Sequence, residues 1–295
     1  MKILLGFPQK DKQTGVWIKE GFIEAEQKLV GIHDAKLEPP QKLLQMAKNL
    51  KPDLIFMSRT PAYISIIKEL KKIGLTAFWN VDVRNSITEW KHLYPLMTEC
   101  HFWFTIAKGN ITMYKKAGLG NPYWLSEGCA NLHKLRPNGR IEEFDGFFAG
   151  SINATHKGRK QILDDLKNTN SNIHIHNGLS LINEQHNDYV GRSKVCIGHS
   201  GWPQVELSMS ARDYRIMGAG GFLLTNHVKG IENWFKIGVE CDTYKTPEEA
   251  KEKFLWYCEH PKERIAIADA GYKAAHEKHR FKHRMKEVIE IVKNY

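Results

Sequence analysis

Short apolar runs alternate with helically spaced segments along most of this chain, and no other feature constrains its fold as strongly. The pattern is clearest over residues 195–235. Val195 to Gly198 is an apolar run that stops at His199, Ser200 and Gly201. Residues 208–217 have helical spacing, and Gly218, Gly220 and Gly221 end that helix because glycine accepts the left-handed backbone of a helix cap. Phe222 to Thr225 is a second β-type run, 226–230 a polar loop, and Ile231 to Phe235 opens another helix. Such alternation predicts parallel strands joined by crossover helices. Ligands of such sheets bind past the carboxyl ends of the strands, where His199, Ser200, Asn226, His227 and Lys229 fall.

The rhythm starts at the first residues. Apolar runs at 2–7, 53–57, 75–81, 102–106 and 123–126 read as strands. Val16, Phe22, Ile23, Leu29 and Val30 fit one face of a single helix, Pro39 and Pro40 start a second, and Trp90, Leu93 and Met97 mark a later one. Residues 132–143, with Pro137, Asn138, Gly139 and several charges, break the pattern and read as a linker. A second series follows: strands at 144–149 and 172–176, a helix at 157–166, the 195–235 stretch, and helices at 248–258, 263–278 and 282–293. The expectation is an α/β protein of two doubly wound domains, 1–135 and 144–280, with a C-terminal helix, 281–295, packing back across them and a cleft between the domains.

A formal charge of +10 favours anionic partners: a nucleotide diphosphate, nucleic acid or an acidic membrane surface. The five cysteines are odd in number and form no C-x-x-C, which reads as free thiols rather than disulfides or zinc. No apolar stretch approaches the roughly 20 residues that span a bilayer, and the first apolar run is too short for a signal peptide. The chain therefore reads as cytoplasmic. No G-x-G-x-x-G follows the first strand.

The segment Arg212-Asp213-Tyr214-Arg215-Ile216-Met217-Gly218-Ala219-Gly220-Gly221-Phe222-Leu223-Leu224-Thr225 resembles the R-x-F-E-A-x-A-C-G-x-x-L-L-T segment of CgeB-like family 1 glycosyltransferases. Gly230-Ile231-Glu232-Asn233-Trp234-Phe235 resembles that family's G-L-E-E-L-F, and the likeness continues through Thr246-Pro247, His260-Pro261 and Phe281 to Met285. It covers about 190–290. The resemblance implies the GT-B architecture of two Rossmann-like domains, transfer of a sugar from a nucleotide diphosphate, UDP above all, and no metal or cofactor in catalysis. Where the family has Glu, often a ribose contact, this chain has Arg215. That departure keeps open an alternative, a nucleotide-sugar or nucleic-acid binding protein without transfer activity.

For the donor, Gly150 and Ser151 close a strand, and Lys157 and Arg159 follow at a helix start. Glycine admits a phosphate close to the backbone, and the helix N-terminus and the two cations favour it. The same residues also fit an ordinary solvated turn, and the resemblance moves the reading toward phosphate. His176 and His199 lie at strand tips, and Arg212 and Arg215 share one helix side. With Asn226, Lys229, Gly230, Ile231 and Glu232 they complete the expected donor set, Arg212 also serving catalysis. His174 and His176 face one side of a strand but lack a third metal ligand at a definite spacing.

For the acceptor, Asp82 ends a strand and reads either as the base that takes the acceptor proton or as a helix cap or ion pair, with Arg84 nearby to hold it. Trp79 and Trp90 join Arg84 as expected acceptor contacts, although core packing is the usual explanation for such aromatics. Glycans, proteins and a hydroxymethylated pyrimidine in DNA all fit as acceptors, DNA being suggested by the charge and by the Lys and Arg beside aromatics in the first half of the chain.

Overall fold

A computed structural model describes residues 1–10, 14–84, 86–152, 158–178, 181 and 183–295. The chain divides into two units, one of residues 1–126 and 281–295, the other of residues 127–280. The segment 132–143, expected as a linker, thus falls inside the second unit.

The first unit is a six-stranded parallel sheet in the order β2-β1-β3-β4-β5-β6. Its elements are β1 (Lys2–Gly6), α1 (Thr14–Glu24), β2 (Lys28–His33), α2 (Pro40–Leu50), β3 (Leu54–Ser58), α3 (Ile67–Leu70), β4 (Leu75–Asn80), α4 (Tyr94–Glu99), β5 (Phe102–Thr105), α5 (Ile111–Lys116) and β6 (Pro122–Trp124). One correction concerns Leu29 and Val30, expected on the face of the first helix. That helix stops at Glu24, Glu26 turns the chain with φ 58°, and Leu29 and Val30 lie in β2, paired in parallel with β1. Apolar residues at short spacing satisfy either period, and only the partner strand decides between them.

The second unit contains β7 (Phe144–Gly150), α6 (Arg159–Lys167), β8 (Ile173–Asn177), α7 (Asn183–Gly191), β9 (Ser193–Ile197), α8 (Ala211–Gly218), β10 (Leu223–Asn226), β11 (Asp242–Tyr244), α9 (Pro247–Glu259) and α10 (Pro261–Lys278). Its sheet is ordered β11-β10-β9-β7-β8. α7 and β11 carry little apolar signal and were not expected; β11 exists through its pairing with β10, Leu224 opposite Asp242 and Asn226 opposite Tyr244. The helix expected from Ile231 is a single 3-10 turn, Ile231–Asn233.

The closing helix α11 (Phe281–Lys293) belongs to the first unit. It packs on α1 where Gly21 leaves room: a Cβ there would lie 2.9 Å from the carbonyl carbon of Phe281. The Phe281 ring sits 5.9 Å from Trp17 and 6.2 Å from Trp79.

Both sheets share one topological property. Each starts in the interior, adds its second strand on one side, then reverses and adds the rest on the other. The reversal falls between β1 and β3 in the first sheet and between β7 and β9 in the second. Open α/β sheets bind ligands at the carboxyl ends of the strands flanking such a reversal, because crossovers leaving in opposite directions open a crevice there. All five cysteines are free thiols and four are buried. Among the described residues, no helix is long and apolar enough to cross a membrane.

Candidate active site

At the reversal point of the second sheet, β7 ends in Ala149-Gly150 and β9 runs into His199. Two guanidiniums join these ends. Arg212, in the first turn of α8, is 5% exposed; its Nε donates to the Ala149 carbonyl at 2.6 Å and its Nη1 to the His199 carbonyl at 3.3 Å. Arg159, the first residue of α6, is 3% exposed; its Nη1 donates to the Ser151 carbonyl at 2.5 Å and its Nη2 to the same His199 carbonyl at 2.6 Å. Both lie over the Phe148 ring, at 4.5 Å for Arg212 and 5.7 Å for Arg159. Glycine is required at 150: its φ is 155°, and a Cβ would sit 1.9 Å from Arg212 Nη2.

The electrostatics follow from this enclosure. Burial lowers the pKa of Arg212 to about 9, with Arg159 adding to the fall. Burial lowers Arg159 to about 10 and raises Asp213 to about 6. Asp213, 1% exposed, partly balances the pair and accepts from Thr225 Oγ1 at 3.5 Å. Arg215 is also lowered by burial, while Glu127 and Asp213 favour its charged form. Three guanidiniums, those of Arg159, Arg212 and Arg215, thus neighbour two carboxylates, those of Asp213 and Glu127.

Around this clasp the loops are pinned by side chains that imitate backbone pairing. Ser200 N–H donates to Asn226 Oδ1 at 2.7 Å and Asn226 Nδ2 returns a bond to the Ser200 carbonyl at 2.9 Å, extending the β9–β10 ladder past its end. Ser210 caps α8, its Oγ accepting from Arg212 N–H at 3.3 Å. The Tyr244 hydroxyl donates to the Gly198 carbonyl at 3.0 Å, so it accepts from His199 Nδ1 at 3.1 Å and fixes the Nδ1–H tautomer.

The remaining expected donor residues are placed as follows. His176, at the tip of β8, lies 4.6 Å from the Tyr189 ring, and burial lowers its pKa. Gly230 takes φ 79°, Lys229 is exposed, and Glu232 approaches His227 Nε2 at 3.8 Å. One expectation is corrected. Ile231 is fully buried in the core, so no ligand reaches its side chain. Arg212, expected as a direct phosphate and catalytic contact, donates through Nε and Nη1 to main-chain carbonyls. Lys157 lies outside the described residues.

In the first unit Asp82 follows β4, 37% exposed. Its partner is not Arg84 but Arg59, which follows β3; the two form an ion pair. Arg84 pairs with Glu89 at 3.4 Å. Trp79 and Trp90 are 0% and 1% exposed and belong to the core, which corrects their expected role as acceptor contacts. Trp79 Nε1 donates to the Leu125 carbonyl at 3.2 Å. The rank of apolar neighbours around an indole cannot be read from its sequence position, so the strand-end rule overreached there.

Sequence reasoning missed Arg59, Tyr244 and Glu127 as members of these clusters. Arg59 carried a usable signal, since it follows an apolar strand as Asp82 does. The formal charge is also unevenly divided. The first unit carries 22 Lys and Arg against 13 Asp and Glu, a net +9; the second carries 21 against 20, a net +1.

Residues 152–290 match the model of a family described as glycosyl transferase-like. No curated protein matches the chain in sequence. In structure it is similar to HepE of Anabaena in complex with UDP and glucose, at 12% identity over 100% of both chains and a TM-score of 0.71. It is also similar to the sucrose-phosphate synthase of Thermosynechococcus elongatus, at 9% identity over 100% of this chain and 98% of that one, with a TM-score of 0.65. A glycosyltransferase of Rickettsia africae gives 10% identity, 99% and 98% coverage and a TM-score of 0.61. At such identities the likeness is one of fold. Residues 152–290 thus match a glycosyl transferase-like family, and the two parallel α/β sheets give the chain the GT-B fold of these enzymes along its length.

Proposed function

We propose that the chain transfers a hexose from a UDP-sugar to a hydroxyl, with the donor on the second unit and the acceptor on the first. The observation that carries the reading is the buried excess of guanidinium charge at the β7–β9 reversal point, which a diphosphate would neutralise. HepE, similar in fold, has been solved with UDP and with UDP-glucose.

In the proposed reaction the acceptor oxygen bonds to the sugar C1 as the bond from C1 to the β-phosphate oxygen breaks. The electron pair leaves with UDP, and the acceptor proton passes to the Asp82 carboxylate. The role of the second unit is electrostatic: its cations and strand-end N–H groups stabilise the charge that grows on the departing diphosphate. Arg159 and Arg212 act here as positioning residues that hold the two strand ends and supply field. Protein cations take the part that a metal would otherwise play.

The test is incubation with a panel of UDP- and other nucleotide sugars, following nucleotide release with and without candidate acceptors. Release that depends on one sugar nucleotide supports the reading; no binding of any nucleotide sugar would remove it. A second reading, binding without transfer, rests on Arg215 standing where the resembling family has Glu. Tight binding without donor hydrolysis or transfer would favour it.

A further inference from the structure

We propose that the carboxyl edge of the first sheet holds a subsite for a phosphate group on the acceptor, formed by Arg59 and Arg84. The inference rests on the acceptor assignment above and adds the chemical class of the acceptor. Arg59 and Arg84 follow adjacent strands, β3 and β4, and both place their guanidinium carbons near one indole, 5.8 and 5.6 Å from the Trp90 ring centroid. Trp90 is 1% exposed and so is a fixed platform, whereas the arginine side chains are 35% and 31% exposed and reach solvent. A guanidinium near the face of an aromatic ring is attracted by the ring's quadrupole and keeps its N–H donors for other partners. An anion that reached both guanidiniums would gain two forked sets of donors.

The groups facing them are named by the contacts. Arg59 pairs with Asp82, and Arg84 pairs with Glu89 at 3.4 Å while its Nη1 donates to the Val83 carbonyl at 3.3 Å. These are half-exposed carboxylate pairs of the kind that contribute little to stability. A phosphate, with more charge and three acceptor oxygens, competes for both forks. Its arrival also draws Arg59 away from Asp82 and leaves that carboxylate able to take a proton. The unit around the pair carries +9 of the chain's formal +10, which draws such an anion in.

The shared chemistry is a phosphate beside a hydroxyl, and its source is either a small sugar phosphate or a nucleic-acid backbone. The experiment first saturates the whole protein with UDP, so that phosphate binding at the donor site is not read. Calorimetric titration then compares glucose 6-phosphate with glucose, and a short DNA duplex across a salt series. The variants are Arg59→Gln, Arg84→Gln and Arg59→Lys, with Lys72→Gln as a control that removes one exposed charge just before β4, at the opposite edge of the sheet. A phosphate-bearing probe is expected to bind at least about tenfold more tightly than glucose, and each Gln variant to lose roughly ten- to a hundredfold of that preference. Arg59→Lys should keep part of it, and Lys72→Gln all of it. If DNA is the source, each Gln variant also lowers the slope of log affinity against log salt by about one contact. Preference for glucose 6-phosphate alone assigns a monoester, and preference for DNA alone a diester. No preference for either probe, or one that survives in both Arg59→Gln and Arg84→Gln, overturns the subsite. Failure of UDP itself to bind would instead count against the donor reading.

Discussion

Arg159 and Arg212 donate to the same oxygen, the main-chain carbonyl of His199, at 2.6 and 3.3 Å. One reaches it from the start of α6 and the other from the start of α8, so two crossovers are tied to the end of β9 through a single atom. Each guanidinium also binds the end of β7 or the residue after it. The reversal point is therefore tied together by buried cations.

Arg212→Met should consequently act on stability and on the donor together. Removing one member of a buried, hydrogen-bonded charge cluster costs about 3–5 kcal/mol. UDP affinity should fall about ten- to a hundredfold in the fraction that folds. Chemical denaturation and calorimetric titration with UDP check the two effects. A variant with wild-type stability and wild-type UDP affinity would mean that the clasp has neither role.

Asp82→Asn removes the proposed base while leaving the donor residues of the second unit untouched. Turnover should drop by about 10²–10⁴ with UDP binding unchanged. The comparison of single-turnover transfer with UDP titration makes the split visible. Near-wild-type turnover would reduce Asp82 to the ion-pair partner of Arg59.

Trp79→Ala should behave as a core substitution. Its side chain is 0% exposed and lies 6.2 Å, ring to ring, from Phe281 of α11. A loss of about 3–5 kcal/mol is expected. Denaturation monitored in the folded baseline region, with acceptor KM measured below the transition, separates a stability effect from an acceptor effect. Unchanged stability with a raised KM would restore Trp79 to the acceptor site.

The buried histidines give a pH dependence with a definite sign. Burial lowers the pKa of His133 to about 3, with Arg215 and His276 adding to the fall, and burial holds His186 well below its ordinary value. Below about pH 6.5 the unfolded chain takes up protons that these folded imidazoles refuse. Stability therefore falls as pH drops through 6.5 toward 3, by about 1.4 kcal/mol per pH unit for each histidine. Asp213, raised to about 6, works the other way between about pH 6 and 4, since its folded form binds the proton first. Two histidines against one carboxyl leave a net loss on acidification. His133→Gln should flatten the dependence of unfolding free energy on pH between 6.5 and 5 by close to one proton, as measured by urea titration at several pH values. An unaltered slope would show that His133 is protonated in the native protein.

Much of this molecule is legible in its sequence. The strands around Ile3, Ile55, Phe78, Phe104, Phe148 and Val195 are short apolar runs, and their recurrence between helical segments required parallel sheets. The rule that ligands sit past strand ends led to Gly150, His199, Asn226 and Asp82, all of which the structure places at carboxyl edges. The same rule failed at Trp79, which sits within β4 rather than past its end and whose side chain points into the core.

The chain's own sequence determined the local periods, and with them the class of fold and the identity of the strand ends, because hydrophobic spacing acts over a few residues. Tertiary structure decided which ends are neighbours. Nothing near Arg59 in sequence announces Asp82, 23 residues on, and nothing near Arg159 announces the His199 carbonyl, 40 residues on. Those meetings depend on β3 lying beside β4 in one sheet and β7 beside β9 in the other. Strand order is set by non-local pairing and by the burial of whole faces, energies that no short window of residues contains.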